Sequence, residues 1–154
     1  MDSIKIRKAE AADLPNMQEI ARRTIDSCYR SFLGDEGVDW FLNSGESDRE
    51  IERGLANCDV LLCGEVIVGF CICIDDLVHL MMVDVERHRK GLGTRLLGHC
   101  ESQLAARGHK TIRLETFEGN AQAINFYRKN GWTLTRKAVD EEHGFVRVFF
   151  TKSF

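Results

Sequence analysis

The chain has 154 residues, 44% of them hydrophobic, with charges spread along its length, which is the size of one compact domain spanning 1–154 with a true core. A formal net charge of −3 excludes a general attraction to nucleic acid and makes any basic cluster a local feature. The N-terminal segment MDSIKIRKAE has no apolar signal core and no apolar run approaches the ~18 residues of a membrane span, so a cytoplasmic protein without a membrane partner is expected.

In chain order, SIKIRKA alternates with period two and predicts a short strand. Asp13 then caps a predicted helix with Pro15 in its first turn and Leu14, Met17, Ile20, Ala21 and Ile25 along one face. Ser31 to Gly45 reads as irregular, with Phe32, Trp40 and Phe41 set among Asp35, Glu36 and Asp39, acids that solubilise a loop or attract a cationic amine. Ser47 and Glu50 fit a capping box for a helix of about ten residues. DVLLCGE and VIVGFCICID, joined around Gly64 and Glu65, predict a hairpin, and LVHLMMVDV a further strand. A basic turn with two glycines leads into a helix that turns Leu92, Leu96, Leu97, Cys100 and Leu104 inward and stops at Gly108. KTIRLETF predicts a strand and NAQAINFYRKN a helix closed by Gly131, while WTLTRKAV and FVRVFFTK flank the turn DEEHG as a final hairpin. The order β α α β β β α β α β β describes an α/β chain, a mixed sheet with helices on both faces.

Six cysteines, Cys28, Cys58, Cys63, Cys71, Cys73 and Cys100, form no C-x-x-C pair and mostly lie in apolar periodic segments. That pattern suits buried reduced thiols better than a disulfide frame or a zinc site, and no metal ligand set is read from it.

The glycine turn carries the chemical signal. A strand feeding a glycine turn and then a helix aims backbone N–H groups and the positive end of the helix dipole at one spot, which suits phosphate oxygens. Arg87, Arg89, Lys90 and Arg95 flank it, and Gly91 and Gly93 permit positive φ and a close approach of ligand to backbone. A P-loop would need Gly-Lys-Ser/Thr, but Thr94 follows Gly93 directly. A dinucleotide fingerprint would need glycine or alanine at Leu96; Glu115, at the end of the next strand, is all that would favour it.

His88-Arg89-Lys90-Gly91-Leu92-Gly93 resembles the R/Q-x-x-G-x-G/A motif of the GCN5-related N-acetyltransferases (GNAT), whose loop grips the pyrophosphate of acetyl-CoA, with histidine in place of the usual first residue. NAQAINFYRKNGW is similar to that family's N-x-x-A-x-x-F/L-Y-x-x-x-G-F, and IRKAEAADL to its opening strand and first helix, so the resemblance runs along nearly the whole chain. The acid, asparagine and tyrosine of LETFEGNAQAINFY also fall at a spacing seen in bacterial acetylases of ribosomal-protein N-termini, a likeness of mechanism rather than of substrate. The resemblance implies a GNAT-like acyl-CoA N-acyltransferase fold, with a central mixed, mostly antiparallel sheet of about seven strands flanked by about four helices. It also implies acetyl-CoA as acetyl-donor cosubstrate, an amine acceptor that is a small molecule or a peptide N-terminus, and a homodimer as a possible assembly.

The chemistry explains the residue types. A lysine-like amine of pKa ~10.4 is neutral in roughly one molecule in 2,500 at pH 7, and only the neutral amine attacks a thioester, so a base is useful. Glu115, in apolar surroundings that would raise its pKa, and His79 on the preceding strand are the two candidates; the competing readings are a solvated strand-end acid and a structural histidine. By resemblance, Tyr127 is the general acid for the leaving thiolate, although Tyr127 with Phe126 also reads as a core face. Asn120 fixes the pantetheine or a water, and a backbone N–H near Val83 holds the oxyanion. Backbone groups of Val83 and Val85 pair with the pantetheine arm, and Arg89, Lys90, Gly91, Leu92, Gly93 and Thr94 cradle the pyrophosphate. His88 either joins them, making affinity fall as pH rises through the imidazole range, or faces solvent. A CoA-binding sensor without turnover is the second reading of the same chain, and a nucleotide-binding oxidoreductase, disfavoured by Leu96, the third.

Overall fold

Strand β1 (Ile4–Lys8) pairs antiparallel with β2 (Cys58–Cys63), which returns through Gly64 as the predicted hairpin with β3 (Val66–Ile74). In the computed structural model, which describes residues 3–87, 91–141 and 144–154, the sheet continues through β4 (Leu77–Val83), β5 (Thr111–Phe117), β6 (Thr133–Val139) and β7 (Val146–Ser153). Among the described residues these seven strands form one sheet in the order β1-β2-β3-β4-β5-β7-β6, antiparallel except between β4 and β5.

Among the described residues five helices flank it rather than the four expected. Helices α1 (Leu14–Cys28) and α3 (Glu46–Gly54) lie where predicted, but the segment read as irregular is α2 (Arg30–Asn43), kinked at Gly34, whose φ of 80° is left-handed. A broken helix with no clean apolar stripe carries little periodic signal, which is why it reads as loop. Asp35 and Asp39 both bind the guanidinium of Arg30, at 3.2 and 2.8 Å, so these acids serve the helix and not a free cationic ligand. The predicted capping box is also corrected. Helix α3 starts from Gly45 in the left-handed region, Ser47 is buried inside its first turn, and Glu50 points elsewhere. Asp13 closes a reciprocal box with Glu10 over the preceding 3-10 turn, accepting the Glu10 N–H at 2.8 Å while it binds Arg7.

The sheet separates two cores. Residues Met17, Ile20, Ala21 and Ile25 of α1, Val38 and Ile51 pack against Val60, Phe70, Ile72 and Met82. On the opposite face α4 (Leu92–Ala106) buries the five residues predicted for it against Leu61, Val68, Val78, Ile112, Leu114 and Phe150, with α5 (Ala121–Lys129) packed beside it. Among the described residues no helix is long and apolar enough to cross a membrane.

Candidate active site

Strands β4 and β5 run parallel but pair only at Leu77–Arg113 and Val78–Leu114. Further on, β4 stays with β3 as far as Val83 and β5 with β7 as far as Phe117, so the two central strands part company. His79 sits at the point of divergence. Ile72 pairs with Leu80 and Cys73 with Val78, leaving His79 as the extra residue of a β-bulge, a device that re-aims a side chain. Because Val78 and Leu114 both enter the α4 core, the next residues, His79 and Glu115, emerge on the other face of the sheet.

There His79 Nε2 lies 3.2 Å from Glu50 Oε1, and the hydrogen bond it donates to that carboxylate raises the imidazole pKa above its ordinary value despite partial burial. Glu50, Arg53, Gly54, Ile74 and His79 line a cavity of about 290 Å³. Glu115 is exposed and lies 3.4 Å from Arg147 Nη1, so its surroundings are not the apolar ones expected of a carboxylate raised toward neutrality. Its negative charge instead helps to raise His79.

Tyr127 projects from α5 into an aromatic group, with ring centroids 5.5 Å from Phe126, 6.3 Å from Trp132 and 5.8 Å from Phe150. Burial, followed by the field of Tyr29, pushes its hydroxyl pKa well above the ordinary value, so the group is held in its protonated form. Asn120 caps α5. Its Oδ1 accepts the Ala123 N–H at 3.4 Å and its Nδ2 donates to Thr116 Oγ1 at 3.3 Å, so it acts first by fixing the start of the helix that carries Tyr127.

Strand β4 ends at Val83, and Val85 opens a 3-10 turn rather than extending the strand. The buried Asp84 makes that turn. Its carboxylate takes the Arg23 guanidinium at 2.7 Å and the Glu86 N–H at 3.2 Å, and its carbonyl takes the Arg87 N–H at 2.8 Å. Val85 thus lies in a turn and not on the strand that ends at Val83. His88, Arg89 and Lys90 lie outside the described residues. Gly91 is the left-handed N-cap of α4 with φ of 71°, and among the described residues nothing lies within 4 Å of a side chain built on it. Gly93 does not share the positive φ expected of it; a Cβ there would stand 3.3 Å from the Phe126 ring, so this glycine sets the contact of α4 with α5. Leu92 is buried core, while Thr94 is exposed in the first turn. The first N–H groups of α4 have no acceptor within the helix, and they open beside Gly91.

Over residues 21–132 the sequence matches the acetyltransferase (GNAT) family. The chain belongs to this family. A curated relative, the uncharacterized protein YxbD of Bacillus subtilis, is 33% identical over 104 residues, which span 62% of this chain and 65% of the relative. The chain thus covers a little under two thirds of that relative's length. In fold the chain is similar to a GCN5-related N-acetyltransferase from Rhodopseudomonas palustris, with a TM-score of 0.86 and 18% identity over 100% of this chain and 98% of that one. It is also similar to the PaiA N-acetyltransferase of Thermoplasma acidophilum, solved in complex with coenzyme A, with a TM-score of 0.82 and 20% identity over 99% of each chain. The ribosomal-protein-S18-alanine N-acetyltransferase of Escherichia coli gives a TM-score of 0.73 and 21% identity over 98% of this chain and 94% of that one. These likenesses establish the fold, and with it the mixed seven-stranded sheet of a GNAT acetyltransferase.

Two residues at the divergence of β4 and β5 escape sequence reading. Glu50 and Arg147 come from elements far apart in the chain and carry no site motif of their own; only the packing of α3 and β7 about the central strands brings them to His79 and Glu115.

Proposed function

We propose that the protein transfers the acetyl group of acetyl-CoA to a primary amine by direct attack within a ternary complex. The observation that carries this reading is the parting of β4 from β5 beside the N-terminus of α4, in a chain of the acetyltransferase family. The cosubstrate supplies an acetyl group already activated as a thioester. The space above Gly91 among the described residues and the N–H groups of the first turn of α4, which have no acceptor within the helix, suit its pyrophosphate, with Leu92, Gly93 and Thr94 contributing backbone and His88, Arg89 and Lys90 preceding them. A backbone N–H near Val83 donates to the acetyl carbonyl oxygen as charge develops on it. Tyr127 delivers its proton to the departing sulfur, a task that suits a hydroxyl held protonated by burial.

On the acceptor side, His79 receives the amine proton, directly or through water. Its raised pKa makes it a stronger base than a free imidazole, and Glu50 orients the ring. Glu115 adds negative charge at the same place and remains the competing base. The acceptor is a small-molecule amine or a peptide N-terminus, cationic before it reaches the base, which suits a cavity bounded by Glu50 and His79 with Glu115 nearby.

The test compares acetyl-CoA, NAD and ATP for their effect on the melting temperature, then follows release of free CoA over a panel of amines and peptides. Acetyl-CoA alone should stabilise the protein, and at least one amine should drive turnover. Stabilisation by acetyl-CoA with no turnover on any acceptor would favour the CoA sensor; stabilisation by NAD instead would overturn the reading.

A further inference from the structure

On the face of the sheet away from His79, three cysteines of the α4 core converge. Cys71 and Cys73 stand two residues apart on β3 and turn to the same core as Cys100 of α4, each 1% exposed or less. Their sulfur atoms all lie within 4.8 Å of one another. Three sulfurs bound to one tetrahedral ion at about 2.3 Å stand about 3.8 Å apart, so the trio needs little movement to close on a metal. A second group overlaps the first: Asp59, Cys71 and His99 also present ligand atoms within 4.8 Å of one another. His99 Nε2 lies 2.8 Å from Asp59 Oδ2, which also accepts from Gln103 at 2.9 Å. A carboxylate that holds a histidine in place is the usual support behind a metal-binding imidazole. The Asp59 and His99 side chains are 13% and 31% exposed, so a polar approach leads from the surface to Cys71.

The geometry points to a binding site for one thiophilic d10 metal ion, of the Zn(II) class, held by Cys71, Cys73 and Cys100 with His99 as the fourth ligand. A buried cysteine by itself is a small hydrophobe, as Cys58 is on the opposite face, where its sulfur lies 3.4 Å from Met17 Sδ. Cys71 belongs to both groups, so closing the His99 imidazole onto the three sulfurs would complete the Cys3His donor set that zinc takes in closed structural sites. Each thiol gives up its proton to solvent as its sulfur–metal bond forms, and the ion then ties β3 to α4. The site is independent of the acetyl-transfer reading and shares no residue with it.

Cd(II), a spectroscopic stand-in for Zn(II), provides the probe. Titrated into the fully reduced chain without oxygen, it should bind at one equivalent, give the ultraviolet thiolate-to-metal charge-transfer band and be displaced by Zn(II). The band should be lost or strongly reduced in Cys71→Ser and Cys100→Ala and retained in Cys58→Ser and Cys28→Ser. Absence of a saturable band, or a band unchanged in the first pair, would overturn the site. Should the core variants fail to fold, differential alkylation of the parent chain in partly denaturing urea decides the matter. Cd(II) should protect Cys71, Cys73 and Cys100 while Cys28 and Cys63 go on reacting, and equal labelling of all six with and without Cd(II) would refute the proposal.

Discussion

At the scale of single residues the proposed chemistry rests on two groups whose proton affinities are both raised, Tyr127 used in its protonated form and His79 in its neutral form. Tyr127 holds its proton because burial penalises the phenolate, so Tyr127→Phe should lower the maximal rate by roughly 10- to 1,000-fold with little change in acetyl-CoA affinity. Steady-state kinetics beside calorimetric binding reads both quantities, and an unchanged rate would remove Tyr127 from proton transfer. His79 works in its neutral form, so the rate should fall as pH drops through its pKa, which Glu50 raises. Removing that hydrogen bond in Glu50→Gln should move the acidic limb of the pH–rate profile to lower pH. Should the limb stay in place in Glu50→Gln and flatten in Glu115→Gln, the base is Glu115. The bulge explains why His79 was ambiguous as a sequence letter: a strand histidine faces one side or the other by parity, and here the parity is broken at that residue.

At the scale of elements the glycine turn and the helix starts matter most. Gly91 adopts φ of 71° with no described residue in the way of a side chain, so Gly91→Val should cost about 1–2 kcal/mol of backbone strain and obstruct a ligand approaching the first turn of α4. Calorimetry should show weakened acetyl-CoA binding by a protein that remains folded; equal affinity would take the turn out of the cosubstrate site. Gly93 is the poorer place for this test, because a side chain there meets Phe126. Asp13 links β1 to the start of α1 through Arg7 and the Glu10 N–H, and the hydrogen bond from Arg7 holds its carboxyl below the usual carboxylate range. Its stabilisation is therefore present above the unfolded-state pKa and fades as pH falls through the lower folded-state value. Asp13→Asn should cost about 1 kcal/mol at neutral pH and blunt the loss of stability below about pH 4, as measured by denaturant unfolding at several pH values.

At the scale of the whole molecule one sheet carries two cores, and the proposed active groups lie where the one parallel pairing among the described residues ends. Leu104 is fully buried near the far end of α4 from the glycine turn, so Leu104→Ala should cost about 2–5 kcal/mol in unfolding free energy while leaving acetyl-CoA affinity at low temperature nearly unchanged. An equal loss of affinity would mean that packing along α4 governs the turn.

The sequence by itself determined what local rules encode. Period-two and period-3.6 patterns, Gly64, Gly108 and Gly131 at turns, and the two motifs around Gly91 and Tyr127 were enough for the seven strands, four of the five helices and the family, because each signal lies within a few consecutive residues. Helix α2 escaped because Gly34 breaks its periodicity, and the end of β4 escaped because the turn at Asp84 depends on Arg23 from another element. Only the tertiary structure decided that β4 and β5 separate after two pairs, that Glu50 and not solvent meets His79, and that Arg147 meets Glu115. It alone also brought the sulfurs of Cys71, Cys73 and Cys100 together, although their spacing along the chain announces no metal site. These are contacts between side chains from separate elements, set by how helices and strands pack across the sheet, and no local pattern of residues carries that information.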